Sequence, residues 1–77
     1  MLRKLIRGYI SFKCGDSVAR QFQATFDCED TFENQNESAL IYISEMVYQL
    51  LDVDLLSEDS QEELREYYES LEHFLND

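Results

Sequence analysis

The chain has no proline, no tryptophan, two glycines, one histidine, and six Lys and Arg against seventeen Asp and Glu. Each shortage excludes something. Without proline or a Gly/Ser-rich tract there is no linker, so a single small acidic domain over residues 1–77 is expected. The deficit of positive charge, a formal net −11, argues against direct binding to nucleic acid or an anionic membrane, because phosphate is repelled rather than neutralised. The longest apolar run, Ala39 to Ile43, is too short to cross a bilayer. Arg7 and Gly8 interrupt the N-terminal apolar stretch before it reaches the length of a secretory signal. A mitochondrial presequence would be Ser-rich and helical, whereas this start alternates like a strand, so a cytoplasmic location is expected.

The same sparseness removes most chemistry. His73, Cys14 and Cys28 lack zinc-ligand spacing, and the cysteines read as free thiols at opposite ends of a hairpin. No Gly-rich loop exists to cradle phosphate and no Ser or Cys has a recognisable base. Asp52, Asp54 and Glu63 match three positions of a calcium loop. Leu56, Ser57 and Asp59 break it where an oxygen ligand, a glycine and an apolar residue belong, so the match reads as coincidence in an acid-rich segment. The chain is therefore expected to be no enzyme, with no catalytic residue, cofactor or metal.

What is present is a 44% hydrophobic content with ten Phe and Tyr, the composition of a folded protein rather than an acidic tail. Ile6, Ile10 and Phe12 share one face of an alternating segment, with Arg7, Tyr9, Ser11 and Lys13 on the other, as in a half-buried strand. Cys14-Gly15-Asp16-Ser17 reads as a turn. Alternation then resumes, with Val18, Phe22, Ala24 and Phe26 inward and Gln21, Gln23, Thr25 and Asp27 outward. These features predict a β-hairpin. Phe32, in the polar connector 29–36, either plugs the core or belongs to a short third strand.

Helical spacing follows. Asn34 and Glu37 have the form of a capping box. Leu40, Ile43, Val47 and Leu50, widened by Ile41 and Leu51, make an apolar stripe opposite Ser38, Tyr42, Glu45, Gln49 and Asp52. Residues 52–57 connect to a last helix capped by Ser57 or Ser60, with Leu64, Tyr67, Tyr68, Leu71, Phe74 and Leu75 on its apolar side. The expected fold is α+β: an N-terminal β-hairpin followed by two antiparallel helices packed on one face. A two-stranded sheet has two free edges, so a homodimer or partner-bound state is expected over a lone monomer.

The charge is unevenly placed. Residues 1–20 hold five of the six basic groups and one acid, Asp16; the rest hold sixteen acids and Arg65. On the last helix Glu58, Glu62, Glu66 and Glu69 form one stripe, flanked by Glu63 and Glu72, with Asp59 at its start. Glu45, Asp52 and Asp54 extend the field. Carboxylates repeating every ~5.4 Å along a rigid helix can occupy a site shaped for a phosphate backbone. Like charges one turn apart destabilise a helix, which raises the chance that the stripe has a use. In size, charge and carboxylate-lined helix the chain resembles the small inhibitors carried by phages and mobile elements, among them DNA-mimic anti-restriction and anti-CRISPR proteins. That likeness is one of physical character and carries no residue across. It implies an inhibitor of a basic nucleic-acid-binding protein, such as a nuclease or a CRISPR or restriction effector. In such a contact Tyr42, Tyr67 or Tyr68, where exposed, are the expected anchors. The alternative is an immunity- or antitoxin-like interaction module using the outward hairpin face (Arg7, Tyr9 and Lys13), the acids serving solubility.

Overall fold

The computed structural model describes residues 2–53 and 56–76, and these are helical or in short connections, with no strand among them. Helix α1 spans Leu2–Cys14, α2 Asp16–Phe26, α3 Glu37–Asp52 and α4 Glu58–Asn76, with a single 3-10 turn at Phe32–Asn34. The expected β-hairpin and the α+β class are therefore wrong. The segments assigned to two strands are α1 and α2.

The cause lies in the spacing. Ile6 and Ile10 are both fully buried, and a four-residue interval satisfies a period of 2 as well as a period of 3.6. Phe12 separates the two readings: a strand would turn it inward beside Ile10, yet it is 84% exposed. In α2 the buried residues are Ala19, Phe22 and Thr25, at three-residue helical steps, and Thr25 was assigned to the outer face of a strand.

Gly15 is the whole joint between α1 and α2. Its amide donates to Ser11 O (3.0 Å), closing α1, and its carbonyl accepts from Ala19 N (3.2 Å), opening α2. The chain reverses there, since Arg3 near the start of α1 pairs with Asp27 past the end of α2 at 3.0 Å. Of the expected turn Cys14–Ser17, only Gly15 lies outside a helix; Cys14 ends α1, and Asp16 and Ser17 open α2. Cys14 and Cys28 are free thiols at opposite ends of α2.

Helix α2 closes with Cys28 at φ 60°, whose amide donates to Thr25 O, while Glu29 N donates to Ala24 O. That pair of bonds is a Schellman stop. In the connector Asp30 accepts from Thr31 N, Asn34 Nδ2 and Gln35 Nε2 at 2.7–2.9 Å. These donors hold its carboxyl below the ordinary aspartate value, the Asn34 amide most strongly. Asn36, not Asn34, caps α3, its side chain accepting from Ala39 N. Ser57 caps α4 through Ser60 N, and Ser60 lies inside the helix.

The core gathers Ile6, Ile10, Phe22, Leu40, Ile43, Val47, Leu64 and Leu71. Leu50 and Leu51 are half-buried, whereas Ile41, expected to widen the stripe, is exposed. α1 packs on α2 and α3, α2 also on α3, and α4 on α3. α3 and α4 are antiparallel: Leu40 and Leu75 line one depression between them, and Leu51 and Arg65 another. The radius of gyration is 11.3 Å, close to the ~11.5 Å of a compact chain of this length.

Candidate functional site

α4 can present a continuous outer face because its inner face is so firmly held. Tyr67 meets Phe22 edge-on at 5.2 Å between ring centres, Phe26 at 5.4 Å and Phe32 at 5.8 Å. Phe32 also meets Phe74 at 5.6 Å. Phe32 thus plugs the gap between α2 and α4 from a 3-10 turn, with no third strand. The Thr25 hydroxyl lies within reach of the Gln21 and Phe22 carbonyls and is 2.8 Å from the Tyr67 hydroxyl. The two hydroxyls can exchange the donor role, and Thr25 donating to the Tyr67 oxygen favours the phenolate. Burial, partly offset by that bond, pushes the Tyr67 phenol well above its ordinary value.

With Leu64, Tyr67 and Leu71 fixed inward, the 100° step per residue places Glu58, Glu62, Glu66 and Glu69 within about 80° of one another on the opposite side. All four are exposed. They span about 16 Å of helix axis at 1.5 Å per residue. Asp59 and Glu63 are exposed as well. Glu63 and Glu66 also line a hollow with Phe26, Cys28, Phe32 and Ser70, so part of the acidic field turns toward the end of α2.

Other expected members of the site divide. Asp52 lines a depression of about 340 Å³ with Tyr48, Leu51, Arg65, Tyr68 and Glu69, which brings the end of α3 beside the stripe. Glu45 is exposed on α3. Glu72 is half-buried and accepts from the Tyr68 hydroxyl at 2.7 Å. That bond, with burial and the charge of Glu72, raises the Tyr68 phenol and ties the carboxylate down. Asp54 lies outside the described residues. Of the proposed tyrosine anchors, Tyr67 is buried and unavailable, Tyr68 is half-buried and Tyr42 is exposed.

Three participants were missed. Arg65 is exposed on the acidic face, three residues after Glu62 and four before Glu69, and is a positive break in the stripe. Glu33 and Glu37 line a hollow with Phe32, Leu40 and Phe74, adding carboxylates beside the last turns of α4. Their acidity was visible in the sequence; only the fold of the connector puts them there. His73 is exposed in the last turn of α4.

Among the described residues no group of three or more His, Cys, Asp or Glu is placed to hold a metal ion. No described helix is long and apolar enough to cross a membrane. No protein-family model, curated protein or solved structure matches the chain.

Proposed function

We propose that the protein is a non-enzymatic inhibitor that lays the outer face of α4 into the basic cleft of a nucleic-acid-binding protein, of the nuclease or CRISPR or restriction effector type. The observation that carries this reading is the exposed row Glu58, Glu62, Glu66 and Glu69 on a helix whose opposite side is locked by buried rings. A rigid scaffold presents charge at fixed intervals without ordering cost on binding. Complementary charge then gives fast association that weakens with salt.

The test is competition. A labelled DNA duplex bound to a basic nuclease is titrated with the protein at low salt, and release is read by fluorescence anisotropy. Displacement should occur, weaken steeply with added salt, and vanish when Glu62, Glu66 and Glu69 are all changed to Lys. Equal displacement by the triple variant would sink the reading.

The alternative contact through an outward hairpin face goes with the hairpin. Arg7 is half-buried and lies 3.7 Å from Asp16, and the Tyr9 hydroxyl donates to Gln49 of α3.

A further inference from the structure

The hollow between α4 and the end of α2, about 390 Å³, is apolar at its base and acidic at its rim. Phe26 and Phe32 form the base. Both are half-buried, held against the Tyr67 ring at 5.4 and 5.8 Å between centres. The hydroxyls deeper in, those of Thr25 and Tyr67, are bonded to each other at 2.8 Å and ask nothing of an occupant. Glu63, Glu66 and Ser70 edge the hollow from α4, and all three are exposed. Glu63 and Glu66 are neighbours on the helix surface, so their carboxylates reach the same stretch of rim. Among the described residues no Lys or Arg comes within ion-pair distance of either. Two uncompensated negative charges therefore stand beside an aromatic surface.

That combination defines the occupant. It needs an apolar stem to lie on the phenylalanines and a cationic head to meet the carboxylates. Arginine satisfies both better than lysine. Its planar guanidinium is weakly hydrated, stacks on aromatic rings and meets carboxylates through a fork of donors. We propose that this hollow receives one arginine side chain of the protein partner, a proposal that rests on the inhibitor reading above and names the anchor of that contact. Glu66 belongs to the stripe as well as to the rim, so an arginine seated here is continuous with the row that meets the basic cleft. The depression on the other flank of α4 suits a cation less, because Arg65 lines it. The stripe attracts basic surfaces in general. A shaped slot adds a demand for one residue type at one place, which separates one basic protein from another. Arginines seated in pockets are also among the side chains that carry most of the binding energy in protein contacts.

The test uses three small probes: acetyl-arginine amide, its uncharged counterpart acetyl-citrulline amide, and acetyl-leucine amide. Each is titrated at low salt into the isotope-labelled chain, and backbone amide shifts are read by NMR. The arginine probe should shift the amides of Cys28, Phe32 and Ser70 together and bind about fivefold or more tightly than either neutral probe. Glu63→Gln combined with Glu66→Gln should bring its affinity down to that of the citrulline probe. Ser70→Met fills the hollow from an exposed position without changing the charge. It should keep the helical circular dichroism spectrum and weaken the arginine probe about fivefold or more, while Ser70→Ala binds as the wild type does. Equal affinity for all three probes overturns the proposal. So do shifts confined to the stripe, with none at Cys28 and Phe32, or a Ser70→Met variant that binds unchanged. Competition for a DNA-bound nuclease separates this proposal from the reading beneath it. Displacement by wild type and Ser70→Met alike overturns the arginine slot and leaves the inhibitor. A chain that takes the arginine probe in the hollow yet displaces no DNA supports the slot and overturns the inhibitor.

Discussion

Gly15 adopts φ 100° and ψ 164°, a region that residues with a Cβ scarcely enter. No atom lies within 4 Å of where a Cβ would sit, so backbone preference and not crowding demands glycine there. Cys28 poses the opposite case. It holds φ 60° at the position after α2 where a Schellman stop ordinarily carries glycine, and its side chain is exposed and unbridged. The two sites should respond with opposite signs. Gly15→Ala should destabilise the fold by about 1–3 kcal/mol. Cys28→Gly should stabilise it by about 1 kcal/mol, by removing the left-handed cost of an L side chain. Urea unfolding followed by helical circular dichroism checks both. A neutral Gly15→Ala would mean that the α1–α2 joint has other conformations open to it.

At the scale of elements, the Thr25–Tyr67 bond and the ring cluster fasten α4 to α2. The raised Tyr67 phenol makes that junction sensitive to alkali. Above about pH 10 the unfolded chain releases its phenolic protons, while the folded state still holds the Tyr67 proton. The unfolded state then binds fewer protons, so stability falls as pH rises, by up to about 1.4 kcal/mol per pH unit for this group. The contribution is fully present below pH 10. Tyr67→Phe should reduce the alkaline slope measured by urea unfolding across pH 9–11, the raised Tyr68 phenol leaving a remainder of the same sign, whereas an unchanged slope would place its origin elsewhere. The elements themselves were unevenly legible. α3 and α4 could be read because Leu40, Ile43, Val47, Leu64, Tyr67 and Leu71 repeat at intervals that no strand produces. α1 and α2 could not, because the step from Ile6 to Ile10 suits both periods and Gly15-Asp16 suits a hairpin turn as well as a helix joint. The outer carboxylates of α4 followed directly from helical spacing. Glu72 did not, since its tie to Tyr68 is a local rotamer choice, and the neighbourhood of Glu33 and Glu37 depends on how the connector folds.

For the molecule as a whole, the net charge of −11 resolves into a direction. The basic groups of α1 and α2 are partly spent within that pair, Arg3 on Asp27 and Arg7 and Arg20 on Asp16. The largest run of exposed acids lies along the outer face of α4, with Arg65 among them. Such a field destabilises the compact state by self-repulsion while steering association with a basic partner. Stability and binding should therefore move in opposite directions when one charge is reversed, and Glu66 is the position to test. It is exposed, and Glu62, Glu63 and Glu69 lie four, three and three residues away, all of like sign. Glu66→Lys turns three repulsive helical pairs into attractive ones, each contributing a few tenths of a kcal/mol either way, for a gain of about 1 kcal/mol. In a domain of this size that is a rise of about 4–8 °C in Tm. The gain should shrink in 1 M salt, where the screening length falls to ~3 Å. The same variant should displace less DNA from a basic nuclease. A Tm that falls on Glu66→Lys would show that this carboxylate supports the fold, and the stripe would then need no partner to explain it.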